Sequence, residues 1–211
     1  AMTELLMGGC TTSMDHMYVH PKPFLIDAQF RAAKDIGFRF YATRGSMTRS
    51  VEEGGLPPAS VVQSEDDILA DSVRLVEAYH DPKPGSMSRV ALAPCSLFSV
   101  TERIMKESAV LAEAHDLRLH THLAEDPEED VYCKEVYGCT PVEYFERVGW
   151  ATKRSWVAHF IYPRSEEIDR LAHAGVCVAQ CPCSNMLIGG GSADLMELRR
   201  RGMPVGLGCD G

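Results

Sequence analysis

Arg118-Leu119-His120-Thr121-His122-Leu123-Ala124-Glu125 places two imidazoles and a carboxylate within six residues, from His120 to Glu125. Arg118 to Leu123 reads as a strand, in which successive side chains point to opposite faces. His120 and His122 therefore share one face, about 7 Å apart along the strand, with His122 nearer its C-terminal end. Glu125 falls at or just past that end, where the chain is free to turn. Such a strand offers a metal ligand with a proton carrier beside it, provided other ligands converge there.

The rest of the chain repeats this arrangement. Strands are expected at Cys10–Asp15, Phe38–Thr43, Arg89–Pro94, Ser155–Phe160, Val176–Gln180 and Pro204–Gly208. Helices are expected at Phe24–Ile36, Ser64–His80, Thr101–His115, Pro127–Tyr137, Pro141–Val148, Ser165–Ala174 and Ala193–Arg201. Ser64 with Asp67 three residues on is an acidic variant of the capping box. A polar loop through Gly54-Gly55 and Pro57-Pro58 is too long for a mere connector. Strand–helix alternation of this kind implies parallel strands with helical crossovers. An open doubly wound sheet and a (β/α) barrel both satisfy it.

Two features favour the barrel. No Gly-rich turn follows the first strand to hold phosphates, as the doubly wound sheet would have. Reactive residues also collect at strand C-terminal ends, as they do in barrels. Asp15 and His16 follow one strand, then Arg44, Cys95 and Glu125 follow others; His159 closes another and Asp210 the last.

Composition excludes several classes. The 211-residue chain is 45% hydrophobic and 24% charged, ordinary for a globular protein. No apolar run approaches the roughly 20 residues that span a bilayer, and Ala1-Met2-Thr3-Glu4 does not begin a signal peptide. A net charge of −9 argues against nucleic acid as a partner. Arg199-Arg200-Arg201 reads as cations closing a helix before Gly202. The eight cysteines lack a CxxC pair, and Cys181-Pro182-Cys183 is too close for a structural zinc site. They read as reduced thiols of a cytoplasmic protein.

Several residues stand out as a candidate site. His122, His159 at the end of Trp156-Val157-Ala158, and Asp210 after Gly208-Cys209 are ionisable groups closing apolar strands. An unpaired carboxylate in such a place is costly, so Asp210 calls for a cation, a metal or several donors. Each also has a plain alternative: a core histidine for His120, His122 and His159, a helix cap for Asp210, a surface acid for Glu125.

His122-Leu123-Ala124-Glu125, Val157-Ala158-His159, Pro182-Cys183-Ser184-Asn185-Met186 and Gly208-Cys209-Asp210-Gly211 resemble the amidohydrolase superfamily. More narrowly, they are similar to its metal-dependent aminohydrolases acting on heterocyclic rings. Arg44-Gly45-Ser46-Met47, Gly54-Gly55-Leu56-Pro57-Pro58, His80-Asp81-Pro82 and Ala93-Pro94-Cys95-Ser96 look most like that branch's 8-oxoguanine deaminases.

The resemblance implies a (β/α)8 TIM-type barrel and one divalent ion, zinc ahead of iron. It implies His122 and Asp210 as metal ligands, with Asp210 also taking a proton from the attacking water. His159 would hold that water or the developing tetrahedral centre. Glu125 would protonate the ring nitrogen and help ammonia leave. Arg44 would contact a ring carbonyl or deprotonated nitrogen, and Cys95 would line the pocket. A small heterocyclic substrate is implied, and homo-oligomers are common in the family. A triazine-type hydrolase or a guanine or isoxanthopterin deaminase are alternatives within it; a metal-free binding or scaffold protein lies outside it.

The family's first-strand His-x-His pair has no match before Thr3. The expectation is therefore an incomplete barrel over residues 1–211, about strands two to eight, without the first strand and the flanking β-sandwich. On that reading these residues alone are poorly active or inactive.

Overall fold

The computed structural model describes residues 1–210; Gly211, the last residue of one motif above, lies outside the described residues. Seven parallel strands pair in chain order, each with the next: β1 (Thr12–Met14), β2 (Arg39–Ser46), β3 (Ser88–Pro94), β4 (Arg118–Leu123), β5 (Ser155–His159), β6 (Cys177–Gln180) and β7 (Val205–Leu207). This is the arc of a (β/α)8 barrel, left incomplete: among the described residues β1 and β7 each have one paired neighbour.

Helices form the crossovers. They are α2 (Leu25–Asp35), α3 (Glu65–Tyr79), α4 (Glu102–His115), α5 (Pro127–Tyr137), α6 (Pro141–Arg147), α7 (Ser165–Ala174) and α9 (Leu195–Arg200), with α1 (Met2–Met7) and α8 (Pro182–Ile188) in addition. Each crossover helix longer than two turns buries a stripe at helical spacing, as Ile26, Phe30 and Ala33 do in α2 and Ile104, Met105, Ser108 and Ala112 in α4. Caps set their starts. Ser64 accepts the Asp67 N–H at 3.2 Å, and Thr140 with Glu143 forms a full capping box ahead of Pro141.

Strand β5 is buried along its whole length, as expected of a strand covered on both faces. Strand β2 runs three residues beyond its expected end because Arg44, Gly45 and Ser46 are polar or small yet buried against β3. Gly45 lets the segment after β1 lie directly on the strand; a Cβ there would overlap the Met17 carbonyl.

Register brings one set of residues to one edge. Leu119 to Leu123 of β4 pair with Ser155 to His159 of β5, so Leu123 and His159 end their strands side by side. Gln180 ends β6 opposite Leu207, and the chain turns from there to Asp210. No helix among the described residues is long and apolar enough to cross a membrane.

Candidate active site

His122 is oriented by backbone. The Cys95 carbonyl accepts the His122 N–H at 3.0 Å and its ring Nδ1–H at 2.6 Å. A carbonyl only accepts, so Nδ1 carries the proton and Nε2 keeps a free lone pair. Burial lowers the ring's basicity, which keeps it neutral, the form that ligates metal.

Glu125 and His159 face one another where β4 and β5 end. Ala124, His159 and Phe160 all take left-handed backbone conformations, with φ of 51°, 67° and 50°. Such residues are uncommon and cluster where a chain must turn sharply at a functional end. The Ala124 carbonyl accepts the N–H groups of Ile161 and Tyr162 at 2.8 and 2.9 Å, locking the two turns together. Glu125 Oε1 then lies 3.4 Å from His159 Nε2. Asp210, itself left-handed at φ 49°, places Oδ2 3.8 Å from the same nitrogen.

Two sets of candidate ligand atoms, each within 4.8 Å of one another, overlap at His159: His122, Glu125 and His159, and His159, Cys181 and Asp210. Imidazole lone pairs and carboxylates converging without a cation among them form a donor set that fits a divalent ion. His122 belongs to the first set and Asp210 to the second.

Further histidines lie behind this cluster. His120 donates Nδ1–H to the Trp156 carbonyl at 3.0 Å and stacks on that indole at 4.6 Å. Burial pushes its pKa down to about 3. Its ring lies 6.3 Å from that of His122, one layer deeper. His16 stacks on His122 at 4.8 Å and donates Nε2–H to the Ala93 carbonyl at 3.1 Å.

The residues expected at the site divide. His122, Glu125, His159 and Asp210 are brought together. Cys95 lies beside His122, its carbonyl accepting from Nδ1 at 2.6 Å and its Sγ 3.9 Å from the same nitrogen; burial pushes its thiol up to about 12. Arg44 is placed elsewhere. It is 2% exposed, and its donors go to Asp71 at 2.6 Å, the Gly45 carbonyl at 2.5 Å and Gln63 at 3.1 Å. It lines a cavity of about 570 Å³ with His20 and Asp71, to which none of the four clustered residues contributes.

Sequence reasoning missed Cys181, Asn185 and Glu129. Cys181 follows β6 at the same strand edge, a signal that was readable. Glu129, in the first turn of α5, is 2% exposed and accepts the Glu125 N–H at 3.1 Å, fixing the turn that carries Glu125. Burial pushes its carboxyl up to about 8. An unfolded glutamate titrates near 4.3, so the folded protein holds the extra proton between about pH 4.3 and 8. That contribution to stability is full below the lower value and lost as pH rises through the upper one. Unfolding free energy should therefore fall with pH across this window relative to Glu129→Gln, by up to about 1.4 kcal/mol per pH unit. Denaturant melts of both proteins at pH 5, 6.5 and 8 check this; parallel pH curves would refute it. Asp15, which burial raises to about 6, acts in the same direction at lower pH and cancels in the comparison.

A family model described as the amidohydrolase family matches residues 1–211. An 8-oxoguanine deaminase of Pseudomonas aeruginosa is 46% identical over 213 residues, covering 100% of the chain and 47% of that protein. A hydroxydechloroatrazine ethylaminohydrolase of a Pseudomonas species is 38% identical, covering 100% of the chain and 44% of that protein. The crystal structure of an atrazine chlorohydrolase of Arthrobacter aurescens, complexed with zinc, superposes with a TM-score of 0.95 at 37% identity, over 99% of the chain and 47% of that one. The chain thus spans about half the length of the relatives it matches.

Proposed function

The chain belongs to the amidohydrolase family, and from that we propose that its protein hydrolytically deaminates a purine-like ring, 8-oxoguanine first among the candidates. One observation carries the reading: Glu125 Oε1 and Asp210 Oδ2 stand 3.4 and 3.8 Å from His159 Nε2, at the strand edge where His122 holds out a lone pair.

The imidazole and carboxylate donors suit zinc. A bound divalent ion lowers the pKa of a neighbouring water toward neutrality. Asp210 accepts a proton as that water adds to the ring carbon bearing the amino group. Glu125 would give its proton to the adjacent ring nitrogen, then take the proton left on the added oxygen and pass it to the departing amine, so that ammonia leaves and a ring carbonyl remains; the proton held by Asp210 restores Glu125. His159 Nε2, left with its lone pair when Nδ1 carries the hydrogen, would accept from an O–H of the attacking water and so hold it in place. We place the barrel's closing strand in the part of the protein outside this chain. We place the protein in the cytoplasm, where its eight free cysteines stay reduced.

A second reading, hydrolysis of an alkylamino or chloro substituent from a triazine, uses the same residues and a different leaving group. The ethylaminohydrolase and chlorohydrolase relatives favour it. The whole protein, zinc-loaded, should be offered 8-oxoguanine, guanine, isoxanthopterin and hydroxyatrazine, with ammonia or amine release measured. The highest kcat/KM on 8-oxoguanine is expected. The highest on hydroxyatrazine would replace the proposal with the second reading, and no turnover of any ring would overturn both.

A further inference from the structure

Pro182-Cys183-Ser184-Asn185-Met186 resembles a family motif, yet the chemistry above gives it no part. It opens α8, a helix that buries one residue, Asn185. The apolar residues that follow face outward: Met186, Leu187 and Ile188 are 70%, 88% and 64% exposed. A helix held only by packing would bury those side chains and expose the amide, because burying an amide costs free energy unless its hydrogen bonds are replaced. Asn185 is 1% exposed, and its Nδ2 has no partner among the described residues. Packing therefore does not explain its position.

Its other atom does. Asn185 Oδ1 lies 2.7 Å from His159 Nδ1, and both residues are 1% exposed. An amide oxygen only accepts, so the ring nitrogen it meets must carry hydrogen. This bond fixes the ring plane and leaves Nε2 as the atom facing Glu125 and Asp210. Gln180 braces the same residue from the other side by donating its side-chain N–H to the His159 carbonyl. His159 sits in a left-handed conformation at φ 67° at the end of its strand, where the backbone alone does not determine the ring's orientation. We propose that Asn185 is a positioning residue that sets the tautomer and ring plane of His159. The inference rests on the reading of His159 given under the proposed function.

The test uses the whole, zinc-loaded protein and the variants Asn185→Leu and Asn185→Asp. Partners that orient functional imidazoles are typically worth about 10- to 100-fold. Asn185→Leu should lower kcat on the best ring substrate by about that factor, with KM and zinc content within about twofold of wild type. Asn185→Asp, whose carboxylate also only accepts, should recover most of kcat. In 15N-histidine-labelled protein, long-range 15N–1H spectra should show His159 protonated at Nδ1 in the wild type and Asn185→Asp, and not in Asn185→Leu. This readout needs no turnover: an inactive wild type with the expected spectra defeats the proposed function and leaves the positioning role standing. Wild-type kcat in Asn185→Leu, zinc lost in parallel with kcat, no recovery in Asn185→Asp, or one His159 tautomer in all three proteins would each overturn the inference. Should Asn185→Leu not fold, the wild-type and Asn185→Asp spectra decide it.

Discussion

Glu125→Gln in the zinc-loaded whole protein should lower kcat by about 10²- to 10⁴-fold, the range that a general acid–base contributes. KM and zinc content should change little. Glutamine keeps the size and planar shape of the side chain but cannot carry a proton between water, ring and leaving group. The substitution is clean because the backbone around it is fixed independently. Glu129 holds the residue's N–H, and the left-handed Ala124 sets the turn. The side chain is 30% exposed, so an amide can be accommodated without burying an unpaired group. Steady-state kinetics with zinc analysis on the same samples checks it. Unchanged kcat would move the proton transfer to another residue.

His122→Ala should abolish stable metal binding, with an affinity loss larger than the 10- to 100-fold typical of outer partners. His120→Gln should leave zinc stoichiometry unchanged. The contrast follows from the two rings' surroundings. His122 is tied through Nδ1 to the Cys95 carbonyl and shares a donor set with Glu125 and His159. His120 is tied to the Trp156 carbonyl, stacked on its indole, and belongs to neither donor set. Metal analysis of dialysed proteins distinguishes them. Zinc retained by His122→Ala would refute the assignment, and zinc lost by His120→Gln would favour a His120–His122 chelate instead.

Much of this was legible in the chain, and the reasons are physical. Strand β4 and helices α5 and α7 begin and end where expected because each carries its own punctuation, such as Pro127 behind the Asp126 cap and Gly175 after α7. The four clustered residues were legible because each is an ionisable group at or just past the C-terminal end of an apolar strand, and parallel pairing brings strand ends to one edge. Helices α1 and α8 were not, since α1 buries no residue and α8 one, leaving no apolar period to read. The end of β2 was missed because Arg44 and Ser46 are polar residues buried by tertiary contacts. The same contacts account for Arg44 itself. Its strand-end position drew it toward the site, and nothing local announces that Asp71, 27 residues on, takes its guanidinium.

On the proposed function, His122 and Asp210 hold a divalent ion at this strand edge. Anomalous diffraction at the zinc edge, from crystals of the zinc-loaded whole protein, tests it most directly. One strong peak is expected about 2.0–2.2 Å from His122 Nε2 and an Asp210 carboxylate oxygen, with Glu125 and His159 lining the space beside it. A peak held by His120 and His16 instead, or no peak at full zinc loading, would contradict it.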